Sequence, residues 1–201
     1  MNILAVDTAG KTAGVALLQD DRLLYEVYLD GGMTHSETLM PMIDTCLKLC
    51  GLTCADIDLY AVNAGPGSFT GLRIGLAAVK GLAFPRETLC APVSTLEALA
   101  AAHTGEGTVL CALDARRAQV YSAAFDLATH TRLLDDDARA VTDLADFVEN
   151  CKKLLHFSVG YGMLLSLIHI YTLTTLKACS VKECSISKDV QPAGCTSLLI
   201  R

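Results

Sequence analysis

Lysine and arginine are in short supply in this 201-residue chain: 16 of them stand against 22 aspartates and glutamates, a net charge of −6. Phosphate contacts need clustered cations, so an acidic chain of this kind is a poor nucleic-acid binder by itself, and any work on RNA calls for a partner that does the gripping. No run of about 18 apolar residues occurs, which excludes a predicted membrane helix; the longest apolar stretch, Met163 to Tyr171, is broken by Ser166 and His169. Met1 leads straight into a strand pattern with no basic or apolar leader, so no signal peptide is expected and a cytoplasmic location is. Nine cysteines are an odd count, which argues against a closed disulfide framework and for reduced thiols. Cys46, Cys50 and Cys54 are spaced four apart with no histidine or C-x-x-C nearby, so the first two read as small apolar fillers on one helix face and no metal site is predicted. H-E-x-x-H is absent, and Gly67-Ser68 misses the G-x-S-x-G elbow because Thr70-Gly71 shifts the second glycine by one; peptidase chemistry of either kind is excluded on these grounds. Neither G-x-x-x-x-G-K-[ST] nor G-x-G-x-x-G is present.

What is present is a globular composition, 52% hydrophobic and 19% charged, long enough for one large domain or two small ones. The chain is organised around Asn63 to Gly75, N-A-G-P-G-S-F-T-G-L-R-I-G. The apolar run Leu59-Tyr60-Ala61-Val62 before it predicts a buried strand. After it, Leu72, Leu76, Val79 and Ala83 recur three and four apart, which predicts a helix from Leu72 to Phe84. Gly65, Gly67 and Gly71 therefore lie in a strand-to-helix turn, with Ser68 and Thr70 as candidate N-caps. Such a turn reads in two ways. Free N–H groups and the helix dipole point at one spot and would hold an anion, or the glycines simply let strand and helix pack closely.

Around this stretch, Ile3 to Thr8, Gly14 to Leu18 and Leu23 to Leu29 predict an antiparallel three-stranded meander. Asp7 and Thr8 end its first strand, where they could hold a metal-bound phosphate or form an Asx-type turn. Thr34-x-x-Glu37 is a capping box for a helix that Gly51 closes, with a wide apolar stripe of Leu39, Met42, Ile43, Cys46, Leu47 and Cys50; His35 stands at its start. Thr88 to Val93 predicts another strand and Ser94-x-x-Glu97 a second capped helix, Thr95 to Ala102. Thr104 to Gly107 reads as a linker. Strand patterns restart at Val109 to Asp114 and Val120 to Phe125, a third is expected within Arg132 to Val141 but interrupted by a solvated loop at Asp135-Asp136-Asp137, and Thr142 caps a predicted helix, Asp143 to Leu154. The order strand, strand, strand, helix thus occurs twice, which suggests two related α/β lobes. The predicted division is residues 1–103 for a first lobe, 104–162 for a partial second lobe and 163–201 for a tail dominated by Ser, Thr, Cys and Lys.

Several stretches, taken together and in order, resemble the TsaB (YeaZ) family: Ile3-Leu4-Ala5-Val6-Asp7-Thr8, His35-Ser36-Glu37, Gly65 through Gly75, Val93-Ser94-Thr95-Leu96-Glu97, Asp114-Ala115-Arg116 with Val120-Tyr121, and Val159-Gly160-Tyr161-Gly162. The resemblance covers roughly residues 1 to 162. It implies an α/β fold of the actin/Hsp70-like ATPase (ribonuclease H-like) type, in two lobes. It also implies a function as the non-catalytic partner that activates TsaD, the catalytic subunit forming N6-threonylcarbamoyladenosine on tRNAs that read codons starting with adenine. A TsaE-like ATPase is a further implied partner, tRNA an indirect one, and a homodimer an alternative assembly. The older M22 glycoprotease-like label is not taken as an activity. TsaD carries N-H-x-x-x-H where this chain has Ser94 to Leu99, so Thr95 and Leu99 stand at the histidine positions and supply no imidazole; no catalytic residue is assigned. The implied partner surface is the pair of helices Thr34 to Cys50 and Leu72 to Phe84, with Leu39, Met42, Ile43, Leu76 and Val79 as candidates. The implied cofactor is ATP or ADP with Mg²⁺ at the partner interface, near Asp7, Thr8, Gly65, Gly67, Ser68 and Thr70. The tail 163–201 lacks the family's closing helix and is read as replaced or disordered, leaving the second lobe incomplete. The competing expectation is an ATPase or sugar-kinase-like enzyme of the same superfold, for which Asp114 and Arg116 are the nearest second-lobe candidates; their alternative reading is a structural turn pair.

Overall fold

A computed structural model describes residues 1–103, 105–144 and the strand 155–159. The predicted meander forms, as β1 (Asn2–Asp7), β2 (Ala13–Gln19) and β3 (Arg22–Leu29), with Ala5 opposite Ala16 and Val15 opposite Val27. Helix α1 (His35–Leu49) follows, then β4 (Leu59–Gly65), α2 (Phe69–Ala83), β5 (Leu89–Ser94) and α3 (Thr95–Ala101). The first sheet has the order β3-β2-β1-β4-β5, with β4 parallel to both β1 and β5.

Alternation along β1 and β4 assigns the two faces. Leu4, Val6, Tyr60 and Val62 pack under α1 and α2 together with Leu39, Met42, Ile43, Cys46 and Val79. Ile3, Ala5, Ala61 and Val93 form the opposite core with Ala98 of α3. Each large side chain so buried contributes about 1.5–3 kcal/mol, which is why α1 holds its register despite Pro41 within it. The Thr34 N–H and hydroxyl both donate to the Glu37 carboxylate, at 3.1 and 2.7 Å, and fix where α1 begins.

The second sheet repeats the design: β6 (Thr108–Arg116), β7 (Gln119–Asp126) and β8 (Arg132–Ala140) form a meander, and β9 (Leu155–Val159) pairs in parallel with β6, giving the order β8-β7-β6-β9. The helix predicted over 143–154 begins within 141–144, and the rest of that prediction lies outside the described residues, as does the tail 163–201. α3 packs on both sheets: Leu96, Leu99 and Ala100 join Val109, Cys111 and Leu113, while Ala98 faces the first sheet.

One expectation is corrected. Asp135-Asp136-Asp137 is not a loop that interrupts a strand; it lies inside β8. β8 is an edge strand with one side solvated, so acids cost little there and blunt the edge against pairing with another chain. Two of them sit in a bulge, since Ser122 pairs with Asp137 and Ala124 with Leu134. The Arg139 guanidinium closes the bulge by donating to the Ser122 carbonyl at 2.7 Å and the Asp135 carbonyl at 2.9 Å.

Candidate functional site

The carboxyl ends of β1 and β4 bring the first turn and the glycine stretch together. Asp7 is buried, and its Oδ1 accepts from the Ala9 N–H at 2.9 Å, closing an Asx turn. Thr8 is fully buried and its hydroxyl donates to the Gly71 carbonyl at 2.8 Å. The Ser68 N–H donates to the Ala9 carbonyl at 2.7 Å. His35 Nε2 lies 2.9 Å from the Gly10 carbonyl, so α1 is tied to the same turn. A Cβ at Gly67 would come within 2.7 Å of the Ala9 carbonyl oxygen; one at Gly71 would overlap the Thr8 carbonyl oxygen, and one at Gly75 the Thr8 hydroxyl. Three glycines of the stretch are thus used for the approach of α2 to the β1–β2 turn, while Gly65, at φ 126°, serves the backbone bend.

Of the two predicted N-caps, Ser68 is the cap of α2 and its hydroxyl accepts from the Gly71 N–H at 3.3 Å; Thr70 lies inside the helix. Two amide donors that an incoming phosphate would need, those of Ser68 and Gly71, are therefore already given to protein oxygens. In this arrangement the loop is not a ready phosphate cradle.

Burial pushes the Asp7 carboxyl above the ordinary carboxylate range, while the Ala9 amide, the Asn63 side chain and the His35 charge pull the other way by less. Asn63, the next position on β4, is fully buried; its side chain acts on the Asp7 carboxyl, and its Oδ1 has no hydrogen-bond partner. The Thr95 hydroxyl at the start of α3 is buried and unpartnered too. Asn63 was visible in the sequence as a polar residue ending an apolar strand, but nothing marked it as fully buried. Leu99 lies in the core between α3 and the second sheet. Among the described residues no group of three or more His, Cys, Asp or Glu side chains is placed to hold a metal ion.

Asp114 repeats the Asp7 geometry: its Oδ1 accepts from the Arg116 N–H at 2.6 Å, and Arg116, Arg117 and Ala118 all take left-handed φ values of 63°, 51° and 60°. The turn-pair reading of Asp114 and Arg116 is the one this geometry fits.

The proposed partner residues divide. Leu39, Met42, Ile43 and Val79 are buried in the chain's own core and cannot meet a partner; Leu76 is half-buried. The stripe is wide because α1 covers β2 and β3 and α2 covers β4. The outward face of α2 instead carries Thr70, Arg73, Ala77, Lys80 and Gly81, and that of α1 carries Met40, Asp44 and Leu49. The Arg73 guanidinium stacks on the Phe69 ring at 3.6 Å.

The model of one family, TsaD, tRNA N6-adenosine threonylcarbamoyltransferase, matches residues 31–164. The chain is 38% identical over 126 residues to a Bacillus subtilis protein, tRNA threonylcarbamoyladenosine biosynthesis protein TsaB, covering 62% of this chain and 55% of that one. The Escherichia coli protein of the same name is 38% identical over 128 residues, again 62% and 55%. The chain thus spans about half the length of the curated relatives it matches. A crystal structure of a Pseudomonas aeruginosa protein described as similar to peptidase YEAZ superposes with a TM-score of 0.71 at 26% identity, over 94% of this chain and 99% of that one. Another, of YeaZ from the same organism, gives 0.65 at 26% identity over 88% and 92%. The repeated meander-plus-parallel-strand topology is that of the actin-like fold, and the chain belongs to the TsaD-type family, in its TsaB/YeaZ group.

Proposed function

We propose that the chain acts in the formation of threonylcarbamoyladenosine on tRNA as a non-catalytic partner of a TsaD-like subunit, docking through the outward face of α2 and the adjacent face of α1. The names of its relatives support the pathway. The observation that carries the docking surface is Gly81. It lies in α2, it is exposed, and a Cβ built there meets nothing within 4 Å. A glycine inside a helix costs about 0.5–1 kcal/mol relative to alanine. Gly71 and Gly75 of the same helix have a reason within the chain, the β1–β2 turn; Gly81 has none there, and close approach of a second backbone is the reason that fits. Ala77, one turn before it and also exposed, widens the same shallow face. ATP or ADP with Mg²⁺ enters this reading only at the partner interface, and a TsaE-like ATPase only as a further component.

Titration of the chain against a purified TsaD protein, with Gly81→Ala and Gly81→Glu alongside the parent, tests this. Gly81→Ala is expected to raise the unfolding midpoint. Gly81→Glu should fold normally and bind TsaD at least about tenfold more weakly, since a carboxylate facing another backbone must be desolvated. Equal affinity in Gly81→Glu, or threonylcarbamoyl transfer by the chain alone, would overturn the reading.

A second copy of the chain on the same face is the competing assembly, and sedimentation of the parent and Gly81→Glu separates it from the heteromeric one. The ATPase or kinase-like reading rests on the buried Asp7 and the buried Asn63 beside it near the strand ends. It requires the Ser68 and Gly71 amides to be released, and ATP turnover that disappears in Asp7→Ala would favour it.

A further inference from the structure

Helix α2 contains no aspartate or glutamate along its whole length, in a chain of net charge −6. Its outward stripe carries two cations, Arg73 and Lys80, about two turns apart on one line of the helix, with the exposed Ala77 between them and Gly81 beside the second. We propose that Arg73, stacked on Phe69, is the specificity anchor of this face and takes a carboxylate from an acidic helix of the TsaD-like partner. The inference rests on the docking reading above and adds to it the chemistry of the occupant.

Arg73 is exposed, and its guanidinium lies 3.6 Å from the centre of the half-buried Phe69 ring, one turn earlier on the same helix. Stacking engages the flat side of the guanidinium and leaves its N–H edge free. It also holds the side chain, so less rotamer freedom is lost when a planar carboxylate meets that edge. Arginine presented in this way is among the residue types that carry most of the energy of an interface. Among the described residues Arg73 makes no ion pair. The helix dipole accounts for Lys80, which stands in the last turn, but it does not reach a cation in the second turn at Arg73.

The acids around the face are already engaged. α1 has two, and both are used within α1 and its cap: Glu37 accepts from the Thr34 N–H and hydroxyl, and Asp44 accepts from Lys48 at 2.6 Å. Asp56, beside Arg86, accepts from the Thr53 N–H at 2.8 Å and its hydroxyl at 2.7 Å. A second copy of the chain would bring its own Arg73 and Lys80 to this face and no unengaged acid of α1 to meet them. Like charges so juxtaposed oppose association and favour a partner of opposite sign. The occupant that fits is a different chain, whose helix carries carboxylates spaced to meet Arg73 and Lys80 and small side chains opposite Ala77 and Gly81.

The test is calorimetric titration of the full chain with a purified TsaD protein at low and high salt, using the parent, Arg73→Gln, Arg73→Lys, Phe69→Leu and the double variant Phe69→Leu/Arg73→Gln. Arg73→Gln should weaken binding about tenfold. Arg73→Lys should weaken it about fivefold, because an ammonium keeps the charge but neither the fork nor the stack. Both should leave the unfolding midpoint unchanged, since the side chain is exposed. Phe69→Leu should weaken binding about threefold in the parent and not at all on top of Arg73→Gln, a non-additivity that a general loss of helix stability would not give. Raising NaCl from about 0.05 to about 0.5 M should weaken the parent more steeply than Arg73→Gln. Affinity indifferent to Arg73→Gln, or the same salt dependence in both, would overturn the proposal. If Gly81→Glu weakens TsaD binding and Arg73→Gln does not, the docking face stands and the anchor falls; if the parent does not bind TsaD, both fall. Self-association of the parent that Arg73→Gln abolishes would assign the face to a second copy and refute the acidic partner.

Discussion

Gly75→Ala offers a test in which the sign of the effect reverses with one atom. In the parent, the added methyl overlaps the Thr8 hydroxyl, with the rest of that side chain at ordinary contact distances of 3.5 and 3.6 Å. Overpacking of this kind costs about 1–3 kcal/mol, against a helix-propensity gain of about 0.5–1 kcal/mol, so Gly75→Ala alone should destabilise by about 1–2 kcal/mol. Thr8→Ala alone should cost about 1–2 kcal/mol, because it deletes the buried 2.8 Å bond to the Gly71 carbonyl. In the double variant the overlapping oxygen is gone and only the propensity gain remains, so adding Gly75→Ala to Thr8→Ala should stabilise by about 0.5–1 kcal/mol. The two changes are thus coupled by about 1.5–3 kcal/mol, in the upper part of what neighbouring residues show. Gly71→Ala is the internal control: its methyl overlaps the Thr8 backbone carbonyl, which no side-chain change removes, so it should be destabilising in both backgrounds. Urea unfolding midpoints at constant m-value read all the terms. A Gly75→Ala penalty of the same size with and without the Thr8 hydroxyl would refute the close approach of α2 to the β1–β2 turn.

Asp7→Asn keeps the acceptor for the Ala9 amide but removes the charge. The folded-state pKa of Asp7 is raised, so its contribution to stability is complete below the unfolded value and is lost as pH rises through the folded one; the variant should flatten that decline and be the more stable protein at neutral pH, measurable as a melting temperature followed from pH 4 upward. Arg132 joins α3 to β8, donating to Glu97 at 3.0 Å and to Asp136, while Ser94 at the α3 cap donates to the same carboxylate at 2.5 Å. Arg132→Met should leave two half-buried acids facing each other and cost about 1–3 kcal/mol, with faster amide exchange in α3 than in α1; equal exchange in both helices would contradict the role of this clamp.

Much of the first sheet was legible because its residues answer to local rules. Alternation in Ile3 to Asp7, the Thr34–Glu37 box and the Ser68 cap are decided within a few residues of chain, and each appears in the structure where the pattern put it. Positions decided by distant atoms were not legible. Leu39 and Val79 look alike on a helical wheel whether they face a sheet or a partner, and only the placement of β2, β3 and β4 shows them to be core. The acid run in β8 reads as a loop by composition, yet an edge strand tolerates it because Arg132 and Arg139 reach the bulge from within the same strand. The strand β9 was hidden because His156 and Ser158 break its apolar run, although Leu155, Phe157 and Val159 alternate with them.

The internal repeat shows what separates the two halves. Asp7 ends β1 and Asp114 lies near the end of the equivalent strand β6, and each accepts from the amide two residues on, at 2.9 and 2.6 Å. In the first half that turn is buried by the glycine stretch, which costs the chain its side chains at Gly67, Gly71 and Gly75 and binds the starts of α1 and α2 to one point through His35 and Thr8. In the second half the equivalent turn presents Arg116 and Arg117 to solvent in left-handed conformations, and the segment after β9 in the sequence carries only Gly160-Tyr161-Gly162 in place of the long glycine run. The first half has therefore committed its turn to rigid packing, a use suited to presenting two helices as one docking unit and poorly suited to opening around a phosphate. A nucleotide reading would need the Ser68–Ala9 and Thr8–Gly71 bonds to break together, and hydrogen exchange at Ser68 decides the matter: protection close to that of the core β4 amides fits the scaffold, whereas fast exchange in the free chain that slows with added Mg-ATP would restore the phosphate loop.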